Sequence, residues 1–206
     1  MSEEFRAAWN DQWPMDPRFE VASDGALPNA FVWAVSGPHK GRKWETPEAK
    51  VELRGERGMF VPHVLGVMCG QPLVMRGDEW HYNFHAHPCV NRRDFNVCVA
   101  SGQVLVGHQV PKDPNAGVVR FTEKEKAIPV SGDVYAWMQA YVFVLDHPFF
   151  AVTDAAGRFE IRGLPPGDYV FRVWHEPMTA DVKAHETETA VTLASGGTAD
   201  VAIELR

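Results

Sequence analysis

Four residues whose side chains can bind metal ions lie within nine positions of one another: His81, His85, His87 and Cys89. Imidazole nitrogens and thiolates are ligands that copper and zinc prefer in proteins. The surrounding residues predict a β-strand, in which residues two apart share a face and the rise is about 3.4 Å per residue. His85 and His87 can therefore chelate one ion, with Cys89 as a third ligand, whereas His81 and His85 are separated by about 13 Å. The alternative is a set of ordinary hydrogen-bonded histidines.

Motifs for common enzyme chemistry are missing from the sequence. It contains no Gly-rich phosphate loop, no Gly-x-Ser-x-Gly nucleophile elbow and no His-Glu-x-x-His zinc motif. The pairs Asp146-His147 and His175-Glu176 combine acid and base types, but neighbours in a strand point to opposite faces. We therefore expect solvated or turn-stabilising roles for both pairs, and we predict that the chain is not an enzyme.

Composition restricts the class of protein and of partner. The 206 residues carry a formal net charge of −7, with 45% hydrophobic and 23% charged residues, which is typical of a soluble globular protein. No cluster of Lys and Arg suggests a nucleic-acid partner, and no apolar run approaches the roughly 20 residues of a membrane-spanning helix. Cys69, Cys89 and Cys98 are odd in number and lack a Cys-x-x-Cys spacing, so they predict buried free thiols.

The first 20 residues form a segment of their own, which we call the N-terminal arm. Phe5, Trp9 and Trp13 recur every four residues, which predicts one apolar stripe on a short helix that ends at Pro14. Leaving such side chains in water is unfavourable. The arm is therefore expected either to fold back onto its own domain or to dock on another protein. Phe5, Trp9 and Trp13 are the candidate partner-binding residues.

The rest of the chain predicts short β-strands joined by turns. From Leu27 to Val144, apolar residues alternate with polar ones between turn signals. After Asp146, residues 154–157 and 163–167 predict tight turns, with Gly157 at positive φ. Alternating strands are predicted around residues 159–161, 169–173, 191–193 and 201–205. These patterns predict an all-β chain with a short helical arm at 1–20, a first domain at 21–145 and a smaller antiparallel sandwich at 146–206.

Two groups of motifs carry a resemblance to known families. Residues 61–67 (VPHVLGV), 70–73 (GQPL), 82–86 (YNFHA) and 132–142 (GDVYAWMQAYV) resemble the cupredoxin-like proteins found beside bacterial periplasmic electron-transfer systems, the methylamine-utilisation-like group. Residues 153–159 (TDAAGRF), 163–169 (GLPPGDY) and 174–176 (WHE) resemble the carboxypeptidase regulatory-like, transthyretin-type sandwich that follows the cupredoxin unit in that group. The resemblance covers about residues 20–205. It implies a cupredoxin-like Greek-key sandwich followed by a smaller sandwich.

The resemblance also implies a copper site, most of which this sequence has lost. In the family, His-Asn-x-His-Ala supplies one imidazole, and Cys-Asp-x-His-x-x-Met supplies the thiolate, the second imidazole and the thioether. These positions fall on Tyr82, Gly132, Tyr135 and Met138. Glycine offers no ligand, and a neutral phenol is a poor one for copper. Only Met138 remains, so we expect no bound cofactor, and we expect Tyr82 and Tyr135 to fill the vacated space.

These observations predict a non-catalytic structural or binding subunit with a degenerate copper site. Analogy with the family places it in the periplasm, docked on an extracytoplasmic or membrane-associated electron-transfer assembly, photosynthetic assemblies included. The N-terminus shows no signal peptide, so a cytoplasmic location is the alternative. The alternative function is a copper-binding protein with a rewired site. One version of that site uses His85, His87 and Cys89, and another uses His81 with Met138.

Overall fold

The structure is a computed structural model that describes residues 21–77, 81–91, 95–100, 103–106, 118–177 and 183–205. All regular secondary structure in these ranges is β, which confirms the predicted class. The strands are β1 (Phe31–Ser36), β2 (Val51–Glu56), β3 (Met59–Val61), β4 (Val64–Met68), β5 (Leu73–Gly77), β6 (His81–Ala86), β7 (Phe95–Ala100), β8 (Gln103–Val106), β9 (Val118–Val119), β10 (Glu125–Ser131), β11 (Gln139–Leu145), β12 (Phe150–Val152), β13 (Gly167–His175) and β14 (His185–Leu193).

One prediction concerns a segment that the structure does not describe. The N-terminal arm, with Phe5, Trp9 and Trp13, lies outside the described residues. Within the described ranges, no helix is long and apolar enough to cross a membrane.

The described residues form two compact units. Unit one comprises residues 45–146 and contains two sheets, with strand orders β4-β11-β10-β6-β7-β8 and β3-β2-β5-β9. Strands β4 and β11 pair in parallel, as do β2 and β5, while the other pairs are antiparallel. Strands distant in the chain are therefore neighbours in the sheets, as in a Greek-key sandwich.

The core of unit one lies between its two sheets. Leu53 and Met75 from one sheet and Phe84 and Val142 from the other belong to one buried cluster. The rings of Phe60 and Phe84 stack with centroids 4.8 Å apart across this core. Burial of these side chains is the main force that holds the two sheets together.

Unit two comprises residues 21–44 and 147–205 and contains one antiparallel sheet of order β12-β1-β13-β14. The prediction that residues 21–145 form one domain is therefore wrong for its first part, because β1 pairs with β12 and β13. The physical reason is that β1 is buried at four consecutive residues, 31–34. Such a continuously apolar strand marks an internal position in a sheet, but its sequence does not specify its partners.

The second layer of unit two differs from the predicted one. The turn at 154–157 forms as expected, with Gly157 at φ 67° and the Asp154 carboxylate accepting hydrogen bonds from the N–H groups of Ala156 and Arg158. Residues 159–161 and 201–205 show the expected alternation of burial but are not strands. Alternation depends on side-chain direction alone, whereas a strand also requires hydrogen bonds to a neighbour.

Candidate functional site

Strand β6 and the loop between β10 and β11 bring together the four positions that the resemblance assigns to copper ligands. Gly132, Tyr135 and Met138 lie on this loop, residues 132–138, which we call the ligand loop. It is closed by two backbone bonds: Gly132 N–H donates to Met138 O at 3.1 Å, and Met138 N–H donates to Tyr135 O at 2.9 Å. The ring centroids of Tyr82 and Tyr135 are 6.0 Å apart. Tyr82 of β6 and the ligand loop are therefore neighbours in the fold.

Tyr82, at the position that the resemblance assigns to the first imidazole, is only 2% exposed. Its ring lies in a slot formed by Gly55 of β2 and Gly77 of β5, which are paired across the sheet. A Cβ atom built on Gly55 would lie 2.5 Å from Tyr82 Cγ, and one on Gly77 would lie 2.8 Å from Tyr82 Cδ2. Any side chain larger than a hydrogen at either position would therefore clash with the ring.

The Tyr82 hydroxyl has a structural role of its own. It accepts a hydrogen bond from Gly58 N–H at 3.2 Å, in the turn between β2 and β3. The carbonyl of the same glycine accepts a bond from Trp137 Nε1 at 2.9 Å. Gly58 thereby joins the buried phenol to the ligand loop, and this oxygen already has a partner within the protein.

The position of the thiolate offers no donor and no room for one. A Cβ atom on Gly132 would lie 2.9 Å from the carbonyl oxygen of Tyr135 and 3.2 Å from Met138 Cβ. Met138 is 1% exposed and belongs to the core of unit one. A thioether without imidazoles or a thiolate does not form a copper site of this type. The residues present therefore do not fit copper, and the described residues contain no group of three or more His, Cys, Asp or Glu placed to hold a metal ion.

Asn83 is a structural residue of this site that the sequence motifs did not single out. Its side-chain oxygen accepts hydrogen bonds from the N–H groups of Asp133 at 2.7 Å and Val134 at 3.0 Å, and its amide donates to Asn96 at 3.1 Å. The residue is buried in β6. Asn is disfavoured in strands, so a buried one in a strand pattern is itself a signal of a side-chain hydrogen-bonding role. Asn83 clamps the ligand loop to the sheet.

We expect Asn83→Ala to lower the free energy of unfolding by about 1–3 kcal/mol, because two partly buried N–H groups of the ligand loop lose their acceptor. Chemical denaturation measures the cost, and hydrogen exchange at Asp133 and Val134 shows whether the loop is released. Asn91→Ala is the matched control, since its side-chain oxygen also accepts bonds from two backbone N–H groups, those of Thr122 and Glu123, and its loss leaves the bonds of Asn83 in place. Equal exchange rates at the loop in both variants would contradict the clamp.

His85 lies on the opposite face of β6 from Tyr82 and Phe84, as strand alternation predicts, and His87 follows the strand. Tyr82 and Phe84 are buried, while His85 is 28% exposed and His87 is exposed. The rings of His85 and His87 have centroids 4.1 Å apart. The structure therefore brings these two imidazoles together, on the side of the sheet away from the vacated copper position; the side chain of His81 is not described.

The partners of these two imidazoles are polar groups of β10 and the ligand loop. His85 Nδ1 lies 3.2 Å from Asp133 Oδ1, and His87 Nε2 lies 3.2 Å from Ser131 Oγ. Burial raises the pKa of the Asp133 carboxyl. The hydrogen bonds from Asn96 and His85 lower this pKa by a larger amount, so it lies below its usual value. This arrangement favours an ionised carboxylate beside His85.

The cysteines differ in part from the prediction of buried thiols. All three are free, but Cys89 is exposed, and Cys69 and Cys98 are half-buried. Cys89 is held through its backbone, whose N–H donates to the Glu125 carboxylate. It follows β6 in a loop, where strand alternation no longer sets the direction of its side chain.

The two adjacent acid–base pairs lie in different surroundings. Asp146 is exposed and forms an ion pair with Lys124 at 2.8 Å, whereas His147 is buried. The expectation of solvated or turn-stabilising roles is wrong for the second pair, because His175 and Glu176 are both buried. His175 is the last residue of β13 and Glu176 follows it, and the last residues of this strand are buried consecutively rather than alternately.

Comparison with known proteins gives structural similarities only. No protein-family model and no curated protein matches the chain. Similar solved structures include a copper-containing nitrite reductase from Thermus scotoductus, with TM-score 0.39, 13% identity and coverage of 66% of this chain and 28% of that one. Amicyanin from Paracoccus versutus has TM-score 0.33, 12% identity and coverage of 55% and 96%. A mutant of amicyanin in its oxidised form has TM-score 0.36, 11% identity and coverage of 55% and 90%.

These similar structures are cupredoxins, but each TM-score lies below 0.5. The assignment of unit one as a Greek-key sandwich therefore depends on its own strand order. This chain spans about a quarter of the length of the nitrite reductase chain.

Proposed function

We propose that this chain is a non-catalytic binding subunit of an extracytoplasmic electron-transfer assembly, with a cupredoxin-like unit that works without copper. The packing of the former ligand positions carries the proposal. Tyr82 replaces one imidazole, and its hydroxyl accepts a hydrogen bond from Gly58 N–H. Gly132 leaves no room for a thiolate. A scaffold that is retained while its redox site is filled with protein atoms favours a role in assembly.

The ligand loop supplies a suitable surface for protein binding. Val134 is 58% exposed and Trp137 is 38% exposed, and both are among the few large apolar side chains that the described residues expose. The Asn83 clamp holds the backbone of Val134, and the bond to Gly58 holds the side chain of Trp137. An exposed apolar patch that is already ordered loses little conformational entropy on binding. Together with Phe5, Trp9 and Trp13 of the arm, it favours a protein partner.

Within the same proposal, unit two is a carboxypeptidase regulatory-like sandwich. The support is its turn at 154–157 and the positive φ of Gly157 and Gly163, at 67° and 74°. In this view unit two contributes surface and no catalytic group.

The proposal is tested by isolating the tagged full-length protein with its native partners and measuring metal content and partners in the same sample. We expect electron-transfer proteins to co-purify and copper to be far below one equivalent per chain. Deletion of residues 1–14 should abolish co-purification and leave the unfolding midpoint unchanged. The substitution Trp9→Ser should reduce co-purification of the partners. Asp11→Ser changes a residue off the apolar stripe and is the matched control.

Stoichiometric copper with a visible charge-transfer band would overturn this function. Copper that is lost in His85→Ala would instead establish the rewired site, for which the 4.1 Å separation of the His85 and His87 rings is the supporting observation. Unfolding on deletion of residues 1–14 would show that the arm belongs to the protein's own core.

A further inference from the structure

His147 lies in the turn between β11 and β12, and its imidazole holds that turn. Nδ1 accepts a hydrogen bond from the N–H of Phe149, two residues further along the chain, at 3.1 Å. Asn and Asp side chains make the same kind of bond in Asx turns. A backbone N–H can only donate, so Nδ1 carries no proton here and the ring is neutral.

The turn that this bond holds is part of the core of unit two. The Phe149 ring is 2% exposed and packs on Trp44, with centroids 4.8 Å apart. The carbonyl of Phe149 accepts a hydrogen bond from Ala34 N–H, in the internal strand β1, at 3.1 Å. Loss of the bond to His147 would therefore loosen a core side chain and a contact with the sheet together.

The surroundings of this imidazole disfavour a positive charge. His147 is buried, and its ring lies edge-on to that of His39, with 4.5 Å between centroids. His39 is also buried and stacks on the ring of Tyr169 in β13. Burial raises the pKa of the Tyr169 phenol, so a charged group is unfavourable at this end of the core. Two imidazolium ions at this separation would also repel each other.

The charged side chains nearest in sequence to these two rings are exposed. Lys40 and Arg42 lie in the same turn as His39, and both cations oppose a further positive charge. Asp146, which precedes His147, forms an ion pair with Lys124 at 2.8 Å. The charge of this carboxylate is therefore balanced by a lysine.

We propose that the His147 turn is an acid-sensitive switch in unit two, which opens when its imidazole takes up a proton at Nδ1. An imidazolium has two donors and no acceptor, so it cannot keep the bond from Phe149 N–H. An exposed imidazole binds a proton below about pH 6.5. The open form therefore binds one more proton than the closed form in this range, and the closed form loses stability as the pH falls.

The buried rings of His63 and His175 make hydrogen bonds of the opposite sense. Nδ1 of His63 lies 2.9 Å from the carbonyl oxygen of Gln139, and Nδ1 of His175 lies 3.0 Å from that of Glu176. Each nitrogen donates to an acceptor, and a protonated ring can keep such a bond. The switch therefore depends on the accepting nitrogen of His147 and not on histidine burial in general.

The test compares the full-length protein at about pH 7.5 and about pH 5.5 by amide hydrogen exchange, corrected for the intrinsic effect of pH. Exclusion of one proton predicts that the opening constant of amides in β1 and β13 rises by about tenfold or more. His147→Asn keeps an acceptor for Phe149 N–H and does not titrate, so it should reduce this rise about tenfold. His185→Asn removes a half-buried histidine at the start of β14, and as the matched control it should keep the full rise.

NMR of the imidazole nitrogens is a second measurement that requires no variant to fold. We expect His147 Nδ1 to keep the chemical shift of an unprotonated nitrogen over this range for as long as unit two is closed. Protonation of this ring in the closed form at about pH 6.5 would overturn the inference. An equal rise in opening for His147→Asn and the unsubstituted protein would overturn it as well. Neither measurement involves copper or a partner protein, so the outcome is independent of the proposed function.

Discussion

Tyr82→Ala is expected to lower the free energy of unfolding of unit one by about 3–5 kcal/mol, the cost of truncating a large buried aromatic side chain. The ring is 2% exposed and lies between Gly55 and Gly77, which have no side chains that can move into the space. Its loss also leaves Gly58 N–H without the phenol oxygen that it contacts at 3.2 Å. Denaturant unfolding, monitored by hydrogen exchange in β6, measures the change in unit one separately from unit two.

Tyr82→Phe is the matched control for this variant. It keeps the ring in its slot and removes only the hydrogen bond from Gly58, so the expected cost is about 0.5–1.5 kcal/mol. If the alanine and phenylalanine variants lowered the free energy of unfolding equally, the ring would not be the main contribution of Tyr82 to stability. Neither variant is expected to bind copper, because neither supplies an imidazole.

Gly55→Ala is expected to cost about 1–3 kcal/mol, because inserting a methyl group into a filled core forces side chains or backbone to shift. The added Cβ would lie 2.5 Å from Tyr82 Cγ. In the Tyr82→Ala background the same substitution meets no ring, so its cost should disappear. The four unfolding free energies of this double-mutant cycle give the interaction energy between positions 55 and 82 directly.

Gly77→Ala, in the neighbouring strand, gives a second double-mutant cycle with Tyr82→Ala. The added Cβ would lie 2.8 Å from Tyr82 Cδ2. We expect a smaller rescue by Tyr82→Ala, because this Cβ would also lie 3.1 Å from Val99 Cγ1. Strict additivity in both cycles would show that the glycines are required for another reason, and that the slot is not what selects them.

Local patterns were sufficient to predict much of the site. Alternation in β6 correctly placed Tyr82 inward and His85 outward, because side-chain direction in a strand has a period of two. The motif at 132–138 correctly grouped Gly132 and Met138 with Tyr82. The turn at Gly157 followed from its conformational freedom at positive φ.

Features that depend on distant pairing could not be predicted in this way. The partners of β1 lie more than 100 residues away, and a strand sequence does not encode which edge it will meet. The slot around Tyr82 requires the register of Gly55 with Gly77, which only the folded sheet brings into contact with the ring. A burial pattern does not show hydrogen-bond pairing, so residues 159–161 and 201–205 of unit two were predicted as ordinary strands.

The slot around Tyr82 also limits the routes by which this chain can change. A histidine at position 82 would be smaller than the tyrosine, and the glycines at 55 and 77 would leave a void beside it. A cysteine at position 132 would meet the carbonyl of Tyr135 before any metal could bind. Each of these two substitutions therefore lowers stability on its own. The paired glycines tie position 82 to a large aromatic side chain.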